Sequence, residues 1–190
     1  MGAADDADRL RWNARYAERA SFTAHRLAER ALAMPLPAGP VLDLACGTSG
    51  SALLAAAQGR HVTAVDISDV ALGLLRDEAR RRGLDDLVAL VHADLVRWRP
   101  SSDFALVLCT GYWDRALFAP AAEAVLPGGV LAWAAFTTEA RRERPHLPAE
   151  WCLEQGEPAT LLPDGFAVLD VRETGPMRHL LARRLSPPAG

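Results

Sequence analysis

Short, almost wholly apolar runs recur along the chain. Between them lie longer stretches in which apolar residues return every three or four positions. The short runs are "VLDLA" (41–45), "HVTAVD" (61–66), "LVALVHA" (87–93), "FALVLCT" (104–110) and "GVLAWAAF" (129–136). Apolar runs of this length, bounded by Gly, Pro or Asp, are expected of parallel strands buried on both faces. Three intervening stretches have helical spacing: "SALLAAAQ" (51–58), "VALGLLRDEARRR" (70–82) and "RALFAPAAEAVL" (115–126). Strand–helix alternation predicts a doubly wound α/β sheet. Two further strand-like runs, "FAVLDVRET" (166–174) and "MRHLLARRL" (177–185), are joined only by "GP" and predict a C-terminal antiparallel hairpin, for seven strands in all. Residues 8–34 are helix-rich and end at "PLPAGP" (35–40). The pattern predicts one domain over 1–190, with an N-terminal helical cap at 1–37 and an α/β core at 38–190.

Composition narrows the classes. The 190 residues are 50% hydrophobic and 24% charged with a formal charge of −3, which favours neither nucleic acid nor an anionic membrane as partner. No apolar run reaches the roughly 18–20 residues of a membrane span, and the acidic N-terminus does not read as a secretory leader. Three scattered cysteines, Cys46, Cys109 and Cys152, argue against a disulfide framework and for a reducing, cytoplasmic setting. No zinc-ligand spacing and no Gly-x-Ser-x-Gly nucleophile turn occurs, so no metal is expected.

The chemistry concentrates in "DLACGTSG" (43–50). In an open α/β sheet, ligands sit outside the carboxyl ends of the strands. Small residues there let the backbone approach a ligand, and the following helix turns its N-terminus to the same place. Asp66 closes the second strand 23 residues after Asp43, one strand–helix–strand step, where an acid can accept ribose hydroxyls. The Gly-x-Gly-x-x-Gly pattern of a dinucleotide site is missing. Asp43, just before the turn, would repel a pyrophosphate and attract an ammonium group. A ribose ligand with a zwitterionic amino-acid tail is S-adenosylmethionine.

The segment 41–68 resembles motif I and the acidic motif that follows it in class I S-adenosylmethionine-dependent methyltransferases. "VHADL" (91–95) resembles the third-strand exit of that family, and "FALVLCTGYWD" (104–114) the strand beneath the methyl-transfer site. "AVLPGGVLAW" (124–133) resembles the turn into the fifth strand, and "WNARYAER" (12–19) the opening of small tellurite-resistance and thiopurine types. The resemblance implies a Rossmann-like methyltransferase fold and S-adenosylmethionine as cofactor. It implies that Asp43, Ala45, Gly47 and Ser49 face the methionine part and that Asp66 takes the ribose. Ile67, Asp94 and Leu95 would lie around the adenine, and Cys109, Thr110 and Gly111 beneath the sulfonium. Trp12 and Tyr16 would close from the N-terminal helix. Ser49 stands where the family usually has Gly. Its Cβ would stand where the backbone approaches the cofactor, while its hydroxyl can cap the following helix and Gly50 supplies slack.

For the acceptor side the candidates are Tyr112, Trp113, Asp114 and His25. Aromatic faces attract a sulfonium, while Asp114 has the alternative of starting a helix. His61 and His92 read as structural. Little chain lies outside the core, so a small-molecule acceptor is expected, with no nucleic acid and no membrane. Two rival readings stand beside this one. One is a nicotinamide-dependent reductase on a similar sheet; the other is a partner protein that kept the fold without turnover.

Overall fold

The computed structural model of the chain describes residues 3–186. Among them, seven strands form one sheet: β1 (Val41–Leu44), β2 (Val62–Asp66), β3 (Val88–His92), β4 (Phe104–Thr110), β5 (Val125–Phe136), β6 (Phe166–Thr174) and β7 (Met177–Arg184). Their spatial order is β3-β2-β1-β4-β5-β7-β6. The first five run parallel; β7 lies antiparallel between β5 and β6, as the helix-free connection requires. The chain walks outward from β1 to β3, then returns to place β4 on the other side of β1. The order therefore reverses between β1 and β4, the place where such sheets bind ligands.

Among the described residues five α-helices accompany the sheet: α1 (Ala3–Glu18), α2 (Arg26–Leu32), α3 (Gly50–Ala57), α4 (Asp69–Arg81) and α5 (Arg115–Glu123). Alternate residues of the central strands enter two cores. On one face Leu44, Val107, Cys109 and Trp133 pack with Leu117 and Phe118 of α5. On the other, Val41, Leu106 and Ala132 pack with Leu27 of α2, Leu53 of α3 and Leu75 of α4. Both faces are covered, which is why the runs read as continuously apolar.

The two cap helices differ in kind. α2 buries Leu27, Ala28, Ala31 and Leu32 in the second core. No described side chain of α1 is buried; α1 lies against α4 through polar groups. Several strand limits differ from the expected ones, most by a single residue. β1 stops at Leu44 because Ala45 turns to φ +50°. β5 begins four residues early, at Val125, carried by a register irregularity in its pairing with β4.

Candidate functional site

The loop after β1 is built around two buried carboxylates. Asp43, in β1, is 1% exposed, and Asp66, at the end of β2, is 5% exposed. Asp66 accepts the Gly47 N–H (2.7 Å) on one oxygen and the Ser68 N–H (2.8 Å) on the other. These bonds fix the carboxylate beside the turn and leave further lone pairs for a ligand. Burial raises its pKa; the Ser68, Gly47 and Ile67 backbone bonds act the other way. Asp43 accepts the Ser49 hydroxyl (2.6 Å). Burial lifts Asp43 to about 7, with the Ser49 bond lowering it and the Asp66 charge raising it. A cation placed here would neutralise a group that the fold leaves short of compensation.

Ser49 has φ −64°, an ordinary value for any residue. Its Oγ accepts the N–H groups of Ser51 and Ala52, both at 3.1 Å, so it caps α3 while donating to Asp43. The side chain therefore caps the helix, as the sequence allowed. The glycine the loop cannot replace is the next one. A Cβ on Gly50 would collide with the backbone of Phe22, Thr23 and Ala24.

The segment 21–25 is fastened onto this loop. The Ser21 N–H donates to Thr48 Oγ1 (3.2 Å), the Thr48 hydroxyl donates back to the Ser21 carbonyl (2.9 Å), and the His25 N–H donates to Ser51 Oγ (3.1 Å). Beyond it, α1 reaches over the carboxyl ends of the strands. Asn13 meets the start of α4: its Nδ2 donates to Asp69 (2.9 Å) and its Oδ1 accepts the Ser68 hydroxyl (2.6 Å). The Tyr16 ring stands on Gly47, which has φ +55°; a Cβ there would lie 2.7 Å from Tyr16 Cζ. Burial and the charge of Asp66 hold the Tyr16 phenol protonated. Trp12 stacks on Tyr16 at 6.0 Å. The Arg11 guanidinium lies 5.4 Å from the Trp12 ring and 4.6 Å from the ring of Trp151, so α1 also touches the segment after β5.

Further along, Ile67 is half-buried and its carbonyl lies 3.0 Å from His92 Nε2. Asp94 accepts the Val96 N–H (2.9 Å) and so shapes its own turn, while Leu95 is buried beneath it. Cys109 and Thr110 end β4, and Gly111 follows with φ +102° and open space on its Cβ side. The Cys109 thiol (3.5 Å) and the Trp133 indole N–H (3.0 Å) both donate to the Tyr112 carbonyl, holding this turn from below.

Three acceptor-side candidates carry structural roles in the fold. Trp113 is 2% exposed and packs on Phe118 and Trp133, so its ring belongs to the core. Asp114 caps α5 by accepting the Ala116 N–H (2.8 Å). His25 caps α2: its Nδ1 accepts the Leu27 N–H (3.1 Å), which commits the lone pair a base would use. Its ring lies 5.3 Å from that of His179, and burial followed by the His179 charge lowers its pKa. Tyr112 is half-buried. Burial keeps Cys46 and Cys109 as thiols, and no metal-binding group of His, Cys, Asp and Glu occurs among the described residues. Asn13, Thr48 and Trp151 escaped the sequence reading, because each acts through a tertiary contact that carries no local pattern.

The turn thus brings together two buried acids, Asp43 and Asp66, and a glycine at φ +55°. Residues 41–129 match a family described as a methyltransferase domain. The chain is 31% identical over 71 residues to a tRNA1(Val) (adenine(37)-N6)-methyltransferase of Vibrio cholerae, covering 36% of this chain and 30% of that protein. It is 42% identical over 69 residues to a demethylmenaquinone methyltransferase of Clavibacter sepedonicus, covering 36% and 27%. The matches thus span less than a third of each relative's length. Among solved structures, magnesium protoporphyrin IX methyltransferase from Synechocystis, with S-adenosylhomocysteine bound, superposes with a TM-score of 0.69 at 17% identity, over 95% of this chain and 99% of the other. TehB from Haemophilus influenzae gives 0.69 at 15% identity over 91% and 67%. Structural likeness at these identities is likeness of fold.

Proposed function

We propose that this chain, whose core belongs to the class I S-adenosylmethionine-dependent methyltransferases, binds S-adenosylmethionine at the loop after β1 and methylates a small-molecule nucleophile. The observation that carries the reading is the pair Asp43 and Asp66, both buried and both facing the turn at Gly47. Asp43 is placed to ionise against the ammonium of an amino-acid tail. Asp66 has acceptor capacity left for a ribose diol after its two backbone bonds. The cofactor supplies an electrophilic methyl group whose leaving thioether is neutral, so no protein acid is needed.

The protein's own part is orientation. The Cys109 and Trp133 bonds to the Tyr112 carbonyl hold the turn after β4 in place. The open space beside Gly111 leaves room for an acceptor next to the half-buried Tyr112. Holding two reactants in line supplies on the order of 7–11 kcal/mol. A small acceptor is the class we propose for the space beside Gly111. The test is calorimetry with S-adenosylhomocysteine, followed by a labelled-methyl screen of small nucleophiles with RNA included. Binding followed by label in a small molecule supports the reading. Label in RNA alone overturns the acceptor class, and no heat at millimolar ligand overturns the cofactor.

A further inference from the structure

We infer that the β6 edge of the sheet is a self-association surface, and that a second copy of this chain pairs with it antiparallel about a twofold axis at Val171. The inference is independent of the cofactor reading. β6 ends the sheet and is joined on one side only, to β7. The exposed large apolar residues gather there. Of the seven among the described residues, Val168, Leu169 and Val171 lie in β6 and are 43–49% exposed. Leu185, 53% exposed, donates its N–H to the Gly165 carbonyl just before the strand. An uncovered edge strand with apolar side chains is a template for another strand.

The backbone decides which groups are on offer. Gly175, at φ +57°, and Pro176 join β6 to β7 in a two-residue turn closed by Thr174 and Met177. The closing pair of such a turn exchanges hydrogen bonds, and the pairs alternate from there. Thr174, Arg172 and Asp170 therefore bond to β7, while the N–H and C=O of Glu173 and Val171 point outward. Among the described residues no backbone bond from outside the sheet reaches them. The register irregularity between Val168 and Asp170 leaves 170–174 as the regular part of this edge.

Charge then selects the register. Antiparallel pairing keeps outward-facing residues opposite one another, so the axis falls on a residue. On Asp170, Arg172 or Glu173 it would set like charges face to face, which destabilises a strand pair. On Leu169 it would set Asp170 and Arg172 opposite Val168 and Phe166, with no ion pair. On Val171, the Asp170 of each copy meets the Arg172 of the other, twice per dimer. Asp170 opposes Leu181 on the α2 side of the sheet and is bonded by Arg30 (2.6 Å), a contact that pairing leaves in place. The Arg172 side chain is 63% exposed and folds back along its own strand onto Asp170 (2.8 Å), so it is free to turn across to the second copy. Val171 opposes Leu180 on the other side of the sheet, where the two copies' valines meet at the axis.

Sedimentation velocity on the full chain over a concentration series tests this. The unaltered protein should form a dimer. Val171→Pro removes the outward N–H at the axis, a group β7 does not use, and should weaken self-association about tenfold or more. Asp170→Arg and Arg172→Asp each set like charges opposite one another twice, and each alone should weaken it about tenfold or more. An equimolar mixture of these two variants should form a heterodimer, because each copy then supplies the charge the other lacks. Circular dichroism on each variant confirms that the sheet is folded. Val171→Pro and Arg172→Asp keep the Arg30–Asp170 pair and carry the test even where Asp170→Arg does not fold. A monomer at every concentration of the unaltered protein overturns the surface. A dimer that survives both Val171→Pro and Arg172→Asp places the contact elsewhere and overturns it too. Charge variants that stay monomeric when mixed overturn the axis at Val171.

Discussion

At the scale of single residues, Asp43 governs how the protein responds to pH. Its folded pKa of about 7 lies above the value of about 4 expected when unfolded. The folded state therefore holds this proton more tightly. The resulting stabilisation is fully present below about pH 4 and is lost as pH rises through 7. Asp66, also raised by burial, acts in the same direction. His25 and His179 act oppositely, since burial lowers both and their protonation on unfolding favours the unfolded state below pH 6.5. The isolating comparison is thus Asp43→Asn against the unaltered protein: the variant should gain melting temperature relative to it between pH 5 and 8. Ligand affinity should run the other way. An ammonium group prefers ionised Asp43, so S-adenosylhomocysteine should bind roughly tenfold more weakly at pH 6 than at pH 8, and calorimetry on Asp43→Asn should show that slope gone. Ser49 sits in the same circuit. Ser49→Ala removes the cap of α3 and the donor to Asp43 together. It should cost about 1 kcal/mol in urea unfolding and weaken the ligand as well. A tighter ligand in this variant would restore the idea that the Ser49 side chain crowds the turn.

At the scale of elements, two glycines make opposite predictions. Gly50 opens α3 under the backbone of residues 22–24, with no room for a Cβ. Gly73 lies inside α4, where a Cβ would meet nothing within 4 Å. Gly50→Ala should destabilise by about 1–3 kcal/mol through overpacking. Gly73→Ala should stabilise by roughly 0.5–1 kcal/mol through helix propensity. Denaturant titration of both reads the contrast directly. The same elements mark what sequence can tell. All seven strands and the helices α3, α4 and α5 were legible, because each buried strand is a short apolar run and each helix a repeating stripe. The terminal hairpin was legible because only "GP" joins its strands. The carboxylates near the end of β1 and at the end of β2 were legible from their spacing. The acceptor side was not. Trp113, Asp114 and His25 carry chemistry-bearing side chains, yet one is core and two are caps. A cap and a catalytic group look alike in sequence; only the N–H that each accepts tells them apart. Likewise nothing local distinguishes Gly50, which admits the strap formed by residues 21–25, from its serine neighbour.

At the scale of the whole molecule, the N-terminal 37 residues do not behave as one piece. The helix α2 shares a core with β1, β4 and β5 through Leu27, Ala28, Ala31 and Leu32. It cannot leave without exposing that core, so its amides should open only when the sheet does, at the full unfolding free energy of roughly 5–15 kcal/mol. The helix α1, by contrast, has mean hydropathy too low to need a core and no buried described side chain. Among the described residues its attachments include the Asn13 bonds to Ser68 and Asp69, the Arg9–Asp69 pair at 3.3 Å, the Arg11 guanidinium over Trp151 and the Tyr16 ring on Gly47. Exposed ion pairs contribute about 0–1 kcal/mol, and each net hydrogen bond about 0.5–1.5 kcal/mol. Opening α1 alone should therefore cost only a few kcal/mol. Hydrogen exchange followed by mass spectrometry on the unliganded protein should then show two tiers. Peptides from 7–18 exchange early and together, and peptides from 26–32 exchange late with β1 and β4. The step between tiers should fall at 19–25, where Ser21 and His25 tie the strap to Thr48 and Ser51. Asn13→Ala should move the first tier earlier and leave the second unchanged, because its partners Ser68 and Asp69 lie at the edge of α4 rather than in either core. Equal protection of the two helices would make α1 an integral layer of the fold. The ligand would then have to reach Asp43 and Asp66 by a route that leaves α1 in place.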